Sequence, residues 1–250
     1  MLTILARKRI LKRVQSAAYN QPQLINKVYI RRVHIISVDK ILKRLSIEYF
    51  SARCYLVFIN NFELIVSARL SAQCKDEMVN NITPKLFKKF PNIRSLSLAY
   101  VHEIENIIRP CGLFKIKAKN LKEMSVYLVK NFNGKVPFGV ENLQKLPGIG
   151  RKTANLVMWE AFKVPSIIVD THVSRVTKRI GFHNEDNRFK IEIILQNIFH
   201  KYKKDWSKIC HKIVAHGKNV CKARLPNCEI CCVKLLCLWY TKEKLDTFDS

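Results

Sequence analysis

The sequence predicts an all-α protein of about ten short helices. Three observations support this fold class. Apolar residues recur every three or four positions, the alternation typical of strands is scarce, and segments rich in glycine or proline separate the apolar stripes. The chain has 250 residues, of which 48% are hydrophobic, so it is long enough to bury a core.

Four apolar stripes between residues 101 and 199 mark helices, and each is interpreted as a core-facing surface. They comprise Val101, Ile104, Ile107 and Ile108; Leu121, Met124 and Leu128; Val173, Val176 and Ile180; and Ile191, Ile194, Leu195, Ile198 and Phe199. Gly181 is predicted to end the third of these helices. Predicted breaks are ITP at 82–84, RPCG at 109–112, FNGKVPFG at 132–139 and KVPS at 163–166.

The charge balance favours a polyanionic partner. The chain carries 45 Lys and Arg against 19 Asp and Glu, a formal net charge of +26, which points first to nucleic acid. A general lysine bias of the source genome is the alternative. Residues 1–38 hold eight Lys or Arg and no acidic residue. This segment is interpreted as a basic DNA-binding arm, an organelle transit segment or a solvated extension.

No apolar run approaches the roughly 18 residues that a membrane helix needs, so we expect a soluble protein with no membrane partner. The nine cysteines stand at positions 54, 74, 111, 210, 221, 228, 231, 232 and 237. An odd number without a secretory signal argues against a disulfide scaffold and favours metal or cluster ligation in a reducing compartment.

The segment CKARLPNCEICCVKLLC, residues 221–237, places four cysteines at the spacing C-x6-C-x2-C-x5-C. They are Cys221, Cys228, Cys231 and Cys237. Four thiolates from one short loop suit a [4Fe–4S] cluster, which takes one thiolate per iron. Zinc is the alternative, although its sites usually pair two C-x2-C knuckles. Cys232 leaves a second register open, with Cys232 in place of Cys231.

The segment LPGIG, residues 146–150, is predicted to be a tight turn before a helix over 151–162. Gly148 and Gly150 can adopt left-handed geometry and allow another chain to approach closely. The exposed N–H groups of the turn, the positive end of the helix dipole and Arg151 together form a candidate phosphate site. A corner that uses glycine only for close packing is the alternative.

Lys152 lies in the first turn of that helix, where the dipole disfavours an ammonium and so favours a neutral, nucleophilic amine. Such an amine can attack an electrophilic carbon and form a Schiff base. Asp170 follows the apolar stretch VPSIIV and is predicted to cap the next helix. A carboxylate near a poised lysine can also accept its proton and stabilise positive charge on a sugar ring.

These motifs resemble the endonuclease III family, the iron–sulfur DNA glycosylases of the helix–hairpin–helix superfamily. The resemblance is carried by LPGIGRKTANLV at 146–157, VDTHVSRV at 169–176 and the cysteine loop. It extends to FELIVSARLSAQCKDEMVN at 62–80, CGLFKIKAKNL at 111–121 and HKIVAHGKNVCKARLPNC at 211–228. In all it covers about residues 40 to 240, leaving the basic N-terminal segment outside.

The resemblance implies two helical domains with double-stranded DNA in the cleft between them. Residues 58–164 would form a six-helix barrel holding the helix–hairpin–helix, and residues 39–57 and 165–243 a domain binding the cluster. The damaged nucleotide would be flipped out of the duplex into the cleft. A monomer is expected, in the cytoplasm on the bacterial nucleoid, or in the nucleus or mitochondrion of a eukaryote.

Site residues follow from the same resemblance. Lys152 matches the Schiff-base lysine and Asp170 the catalytic aspartate. Gln73 matches the residue that fills the gap left by the flipped base, and Leu113 the wedge inserted from the opposite strand. The expected activity is removal of oxidised pyrimidines such as thymine glycol, followed by cleavage 3′ to the abasic site through β-elimination. Lys222 and Arg224 of the cluster loop are candidate phosphate contacts.

Two other functions stay open. Adenine glycosylases that act opposite oxidised guanine share the hairpin and cluster, but they carry a small hydroxyl residue at the position of Lys152 and a further C-terminal domain. The lysine, with only thirteen residues after Cys237, favours the bifunctional enzyme. The second alternative is an inactive DNA-binding protein on the same scaffold. The presence of both catalytic candidates, Lys152 and Asp170, argues against it.

Three positions depart from the family pattern. Arg69 stands where an aliphatic residue is usual, and burial of an unpaired charge there is costly unless the side chain reaches DNA or the surface. Cys74 stands where a small or hydroxyl residue is common. Lys218 replaces the arginine usual after the His-Gly pair.

Overall fold

A computed structural model of the chain describes residues 37–241, and no strand occurs within them. The basic segment 1–38 therefore lies almost wholly outside the described residues. The α-helices are α1 Val38–Glu48, α2 Asn61–Leu70, α3 Asp76–Lys89, α4 Ile93–Leu98, α5 Val101–Ile108, α6 Phe114–Phe132, α7 Val140–Gln144, α8 Arg151–Phe162, α9 Thr171–Ile180, α10 Arg188–Ile198 and α11 Trp206–Asn219. Short 3₁₀ helices span His200–Asp205 and Lys234–Leu236. The predicted all-α class is confirmed.

Helix ends follow local capping chemistry. Asn60 caps α2 through its side-chain oxygen, which accepts from the Glu63 N–H at 2.9 Å. Asn92 and Ser95 form a capping box at the start of α4. Gly181 adopts φ 102° after α9, as a left-handed C-terminal residue should, so the predicted stop is confirmed.

The apolar stripes face the core as predicted. Ile104 and Ile108 of α5, and Leu121, Met124 and Leu128 of α6, have no exposed surface. The third stripe, formed by Val173, Val176 and Ile180, is also buried. In the fourth stripe, Ile194 and Ile198 are only partly buried. Periodic burial therefore accounts for these helices.

The predicted break at residues 82–84 is wrong, because α3 runs through Pro84. Ile82, Thr83 and Leu86 are buried on either side of the proline, whereas Pro84 itself is exposed. The ring costs the helix one hydrogen bond on its solvent face, and burial of the opposite face holds the helix together. The breaks at 109–112, 132–139 and 163–166 each separate two elements as predicted.

The helices pack in two groups. Helix α2 packs on α3, α6 and α8, while α4 and α5 pack on α6, and α7 packs on α8. Helix α11 packs on α9 and α1, which brings the first described helix to the C-terminal half of the chain. Gly217 allows the close approach of α9 and α11, since a Cβ there would lie 2.9 Å from the His172 side chain. One continuous set of buried apolar residues runs through both groups, and the domain bounds stay a prediction.

None of the helices between residues 37 and 241 combines the length and apolar character needed to cross a membrane.

Candidate nucleic-acid interface and catalytic site

The hairpin connects α7 to α8, and no side-chain cap covers the first N–H groups of α8. Gly148 adopts φ 77°, the left-handed geometry expected of it, whereas Gly150 is extended at φ −89°. The left-handed prediction is therefore correct for Gly148 and wrong for Gly150. Gly150 is the N-cap of α8, so no side-chain oxygen of the cap bonds the first turn, and a Cβ there would meet nothing within 4 Å. Open space beside the first N–H groups of a helix suits a phosphate.

Arg151, a predicted phosphate ligand, forms a bidentate ion pair with Glu192 of α10. Its Nε donates to Glu192 Oε2 at 2.7 Å, and its Nη2 donates to Oε1 at 2.9 Å. The guanidinium also stacks on the Phe189 ring, 4.6 Å from the centroid. The hydrogen bonds to Glu192 raise the pKa of Arg151. The pair ties the hairpin helix to α10, and a phosphate contact by Arg151 stays a prediction.

Asn155 places the two catalytic candidates on neighbouring elements. Lys152 is half-buried in the first turn of α8, and Asn155 follows it by three residues on the same helix. The Asn155 Nδ2 donates to the Ile167 carbonyl at 3.0 Å, which holds the extended segment leading to Asp170.

The same segment is held from its other side by α11. The Ser166 N–H donates to Ser207 Oγ at 2.9 Å, and the Ile168 N–H donates to Cys210 Sγ at 3.3 Å. Residues 166–169 are buried, as their composition predicts. Asp170 then caps α9, its Oδ1 accepting from the Val173 N–H at 2.7 Å, so the predicted cap is confirmed. The structure thus holds Asp170 against the two helices that flank it.

Gln73 and Leu113 share an unusual backbone conformation. They adopt φ 53° and φ 59°, and the other two non-glycine residues of the described chain with positive φ, Asn133 and Lys163, are helix C-caps. Left-handed backbone is strained for leucine and glutamine and recurs at functional sites. Both side chains are exposed, and a Cβ on Gly112 would lie 3.6 Å from the Gln73 carbonyl, so the two loops adjoin.

The three departures from the family pattern have distinct environments. Arg69 is buried, and its Nη2 donates to Asn120 Oδ1 at 2.6 Å. Lys218 pairs with Asp76 at 2.7 Å and lies over the Tyr55 ring, 3.7 Å from the centroid. Cys74 is partly buried and lies beside Cys111.

The cysteine loop follows α11. Cys221, Cys228, Cys231 and Cys237 line one pocket together with residues of α9, and Cys232 is not among the lining residues. The Cys232 carbonyl instead accepts from Arg44 of α1 at 3.1 Å. Burial raises the pKa of Cys231 to about 12, so a bound cation would be needed to ionise this thiol.

The chemistry of the donor set is compatible with an iron–sulfur cluster. Within residues 37–241 no three cysteine, histidine or acidic side chains converge closely enough for one metal ion. A [4Fe–4S] cube does not require that convergence, because each thiolate binds a different iron. Four thiols around one cavity therefore match a cube, and Cys221, Cys228, Cys231 and Cys237 are the residues that would hold it.

Two arginines of α9 hold the cysteine loop. Arg175 donates to the carbonyls of Cys221 at 3.1 Å and Gly217 at 2.9 Å. Arg179 donates to the carbonyls of Lys222 and Ala223 at 2.6 and 2.8 Å. The side chains of Lys222 and Arg224 are exposed beside this anchor. Sequence reasoning missed both arginines, because nothing local to α9 identifies the carbonyls more than forty positions away to which they donate.

Comparisons with known proteins agree with this geometry. Residues 66–201 match the model of the HhH-GPD superfamily base excision DNA repair proteins. Endonuclease III of Bacillus subtilis is 38% identical over 206 residues, covering 82% of this chain and 93% of the relative.

Two solved structures are similar in both sequence and fold. A non-covalent endonuclease III–DNA complex has a TM-score of 0.79 at 39% identity and covers 83% of this chain and 96% of its own. A trapped endonuclease III–DNA covalent intermediate has the same TM-score at 38% identity and covers 86% and 98%.

Proposed function

Because the chain belongs to the HhH-GPD superfamily of base excision DNA repair proteins, with endonuclease III as its relatives, we propose that it excises oxidised pyrimidines such as thymine glycol. It is a DNA glycosylase and abasic-site lyase. The observation that carries the proposed chemistry is the position of Lys152, in the first turn after the hairpin and linked through Asn155 to the segment that ends in Asp170.

Lys152 is the proposed nucleophile. Its amine nitrogen forms a bond to C1′ of the damaged nucleotide while the N-glycosidic bond breaks, and the base leaves with the electrons of that bond. Asp170 accepts the proton that the lysine loses and stabilises positive charge on the sugar. The C1′–O4′ bond then breaks, O4′ takes up the proton held by Asp170, and a protonated imine remains between Lys152 and C1′.

The imine makes the C2′ proton acidic, and its loss drives β-elimination. The C3′–O bond breaks and the 3′ phosphate leaves with its electrons, which cuts the strand 3′ to the lesion. Hydrolysis of the imine restores the free lysine. Both bond cleavages thus depend on one amine.

The nucleotide must leave the duplex before Lys152 can reach C1′. Gln73 and Leu113 are proposed to fill the space that the flipped nucleotide vacates and to separate the opposite strand. Their exposed side chains, adjoining loops and strained backbones support this role. Because the free protein already holds these two backbones in the strained conformation, less ordering of the loops is needed when DNA binds.

The phosphate backbone is proposed to lie on the hairpin and the cysteine loop. The N–H groups beside Gly148 and Gly150 bind phosphate without regard to base, and Lys222 and Arg224 add exposed positive charge. Cys221, Cys228, Cys231 and Cys237 would hold the proposed [4Fe–4S] cluster, which would crosslink the loop that carries those two side chains. The protein is proposed to act as a monomer wherever its cell keeps DNA: a bacterial cytoplasm, or a eukaryotic nucleus or mitochondrion.

Borohydride trapping tests the proposal on a duplex with one thymine glycol. Wild type and Lys163→Gln, at the far end of α8, are expected to form a covalent adduct, and Lys152→Gln none. An adduct with an abasic duplex but not with thymine glycol would retain the lyase and overturn the lesion assignment. Tight binding of both duplexes without any adduct would overturn the activity and favour an inactive DNA-binding protein.

A further inference from the structure

Arg69 is a buried cation without a counterion in the described part of the chain. It lies in the last turn of α2, is 8% exposed, and takes part in no ion pair formed by residues 37–241. Its Nη2 donates to the neutral Asn120 amide oxygen, and its Nε is buried with no hydrogen-bond partner. Burying a charge in this way costs free energy that the fold alone does not return.

The guanidinium lies directly beneath the hairpin. A Cβ built on Gly148 would overlap Arg69 Nε and would lie 2.9 Å from Asn120 Oδ1. Gly148 is itself exposed on its other side. Arg69 therefore occupies the space that the missing side chain of Gly148 leaves, one residue layer below the surface where the hairpin N–H groups open to solvent.

A second buried cation lies close to the first. Lys117 of α6 is 1% exposed, and its Nζ donates to the Leu70 carbonyl at 2.9 Å. Burial lowers the pKa of Lys117, and the positive charge of Arg69 acts on it in the same direction. The two cations make the interior below the hairpin electropositive. An anion on the outer side of the turn is therefore attracted both by these charges and by the backbone N–H donors.

We propose that Arg69 is a buried positioning cation of the hairpin phosphate site, and that a DNA phosphate bound on the outer side of Gly148 is its counterion. The proposal rests on the proposed DNA-binding function and deepens it. A charge in a low-dielectric interior acts over several ångströms with little screening. Binding of the phosphate then recovers energy that burial of Arg69 costs in the free protein.

This role predicts opposite effects on stability and on binding. Arg69→Met removes a charge that only DNA compensates, so the free protein should melt at an unchanged or higher temperature. Its affinity for a duplex with a stable abasic-site analogue should fall roughly tenfold, as expected for one poorly screened charge. A side chain that serves only to pack α2 would lower stability, and any loss of binding would follow from that.

The experiment measures affinity for that duplex by fluorescence anisotropy over a range of KCl concentrations. For Arg69→Met the plot of log affinity against log salt should be less steep than for wild type by about one. Arg69→Lys should keep most of the slope because it keeps the charge. Lys130→Met is the matched control: it removes an exposed charge ten residues beyond Asn120 on α6, about 15 Å along the helix.

Each outcome decides the proposal. Equal slopes for wild type and Arg69→Met would overturn the proposal, and so would a loss of slope in Lys130→Met equal to that in Arg69→Met. In either case, borohydride adducts formed by wild type would still support the proposed function. A wild type that neither binds nor forms an adduct would overturn both. If Arg69→Met does not fold, Arg69→Leu takes its place, and failure of both to fold would assign Arg69 to stability and overturn the role in binding.

Discussion

The Arg151–Glu192 pair should be energetically asymmetric. The Arg151 side chain is 41% exposed, whereas that of Glu192 is 6% exposed. Removal of the arginine leaves a buried carboxylate without its partner, which costs about 3–5 kcal/mol. Removal of the carboxylate leaves an arginine that water can reach. The expected loss of stability is therefore about 1 kcal/mol, as for exposed ion pairs.

The variants Arg151→Met and Glu192→Gln separate the two effects. By urea unfolding of the DNA-free protein, followed by far-UV circular dichroism, Arg151→Met should lose about 3–5 kcal/mol and Glu192→Gln about 1 kcal/mol. In thermal unfolding the larger loss corresponds to roughly 6–20 °C for a chain of this size. The double variant Arg151→Met/Glu192→Leu should recover most of it, because an apolar pair leaves no buried charge.

Arg151→Lys keeps the charge and loses the bidentate geometry, so it should fall between wild type and Arg151→Met. A loss in Glu192→Gln equal to or larger than that in Arg151→Met would show that desolvation of the carboxylate is not the dominant cost. A double variant as unstable as Arg151→Met would lead to the same conclusion.

Three further predictions concern the hairpin, the cysteine loop and a buried histidine. Gly148→Ala should lower the melting temperature because of its positive φ and the filled space behind it. Gly150→Ala should lower it only slightly, because alanine caps a helix less well than glycine but its Cβ meets no neighbouring atom. Cys231→Ser should lose iron on purification and Cys232→Ser should retain it, measured as iron per chain and visible absorption. Burial lowers the pKa of His183 below its usual 6.5, so the unfolded chain binds more protons as pH falls through that value. Stability should therefore drop between pH 7 and 5, and drop less in His183→Gln, in urea titrations at each pH.

Equal melting temperatures for both alanine variants would mean that the hairpin adjusts without cost. Iron lost from Cys232→Ser but retained by Cys231→Ser would establish the other register. Parallel pH profiles for wild type and His183→Gln would exclude His183 as a source of the acid sensitivity.

The sequence alone determined the features that are local along the chain. Periodic burial predicted the helices, because one face of a helix repeats every three or four residues. The cap at Asp170, the stop at Gly181 and the left-handed turn at Gly148 depend on groups within a few residues of each other. The motif spacing likewise identified the family through residues close together in sequence.

Only the tertiary structure decided which side chains meet. Arg151 finds Glu192 forty-one positions away, and Arg69 lies against Gly148 seventy-nine positions away. Helix α3 continues through Pro84 because its other face is buried. Such contacts depend on how whole helix faces pack, and the same local residues would serve many packings. The proposed chemistry of Lys152 was therefore inferred from its neighbours in sequence, whereas the charges that surround the hairpin are visible only in the tertiary structure.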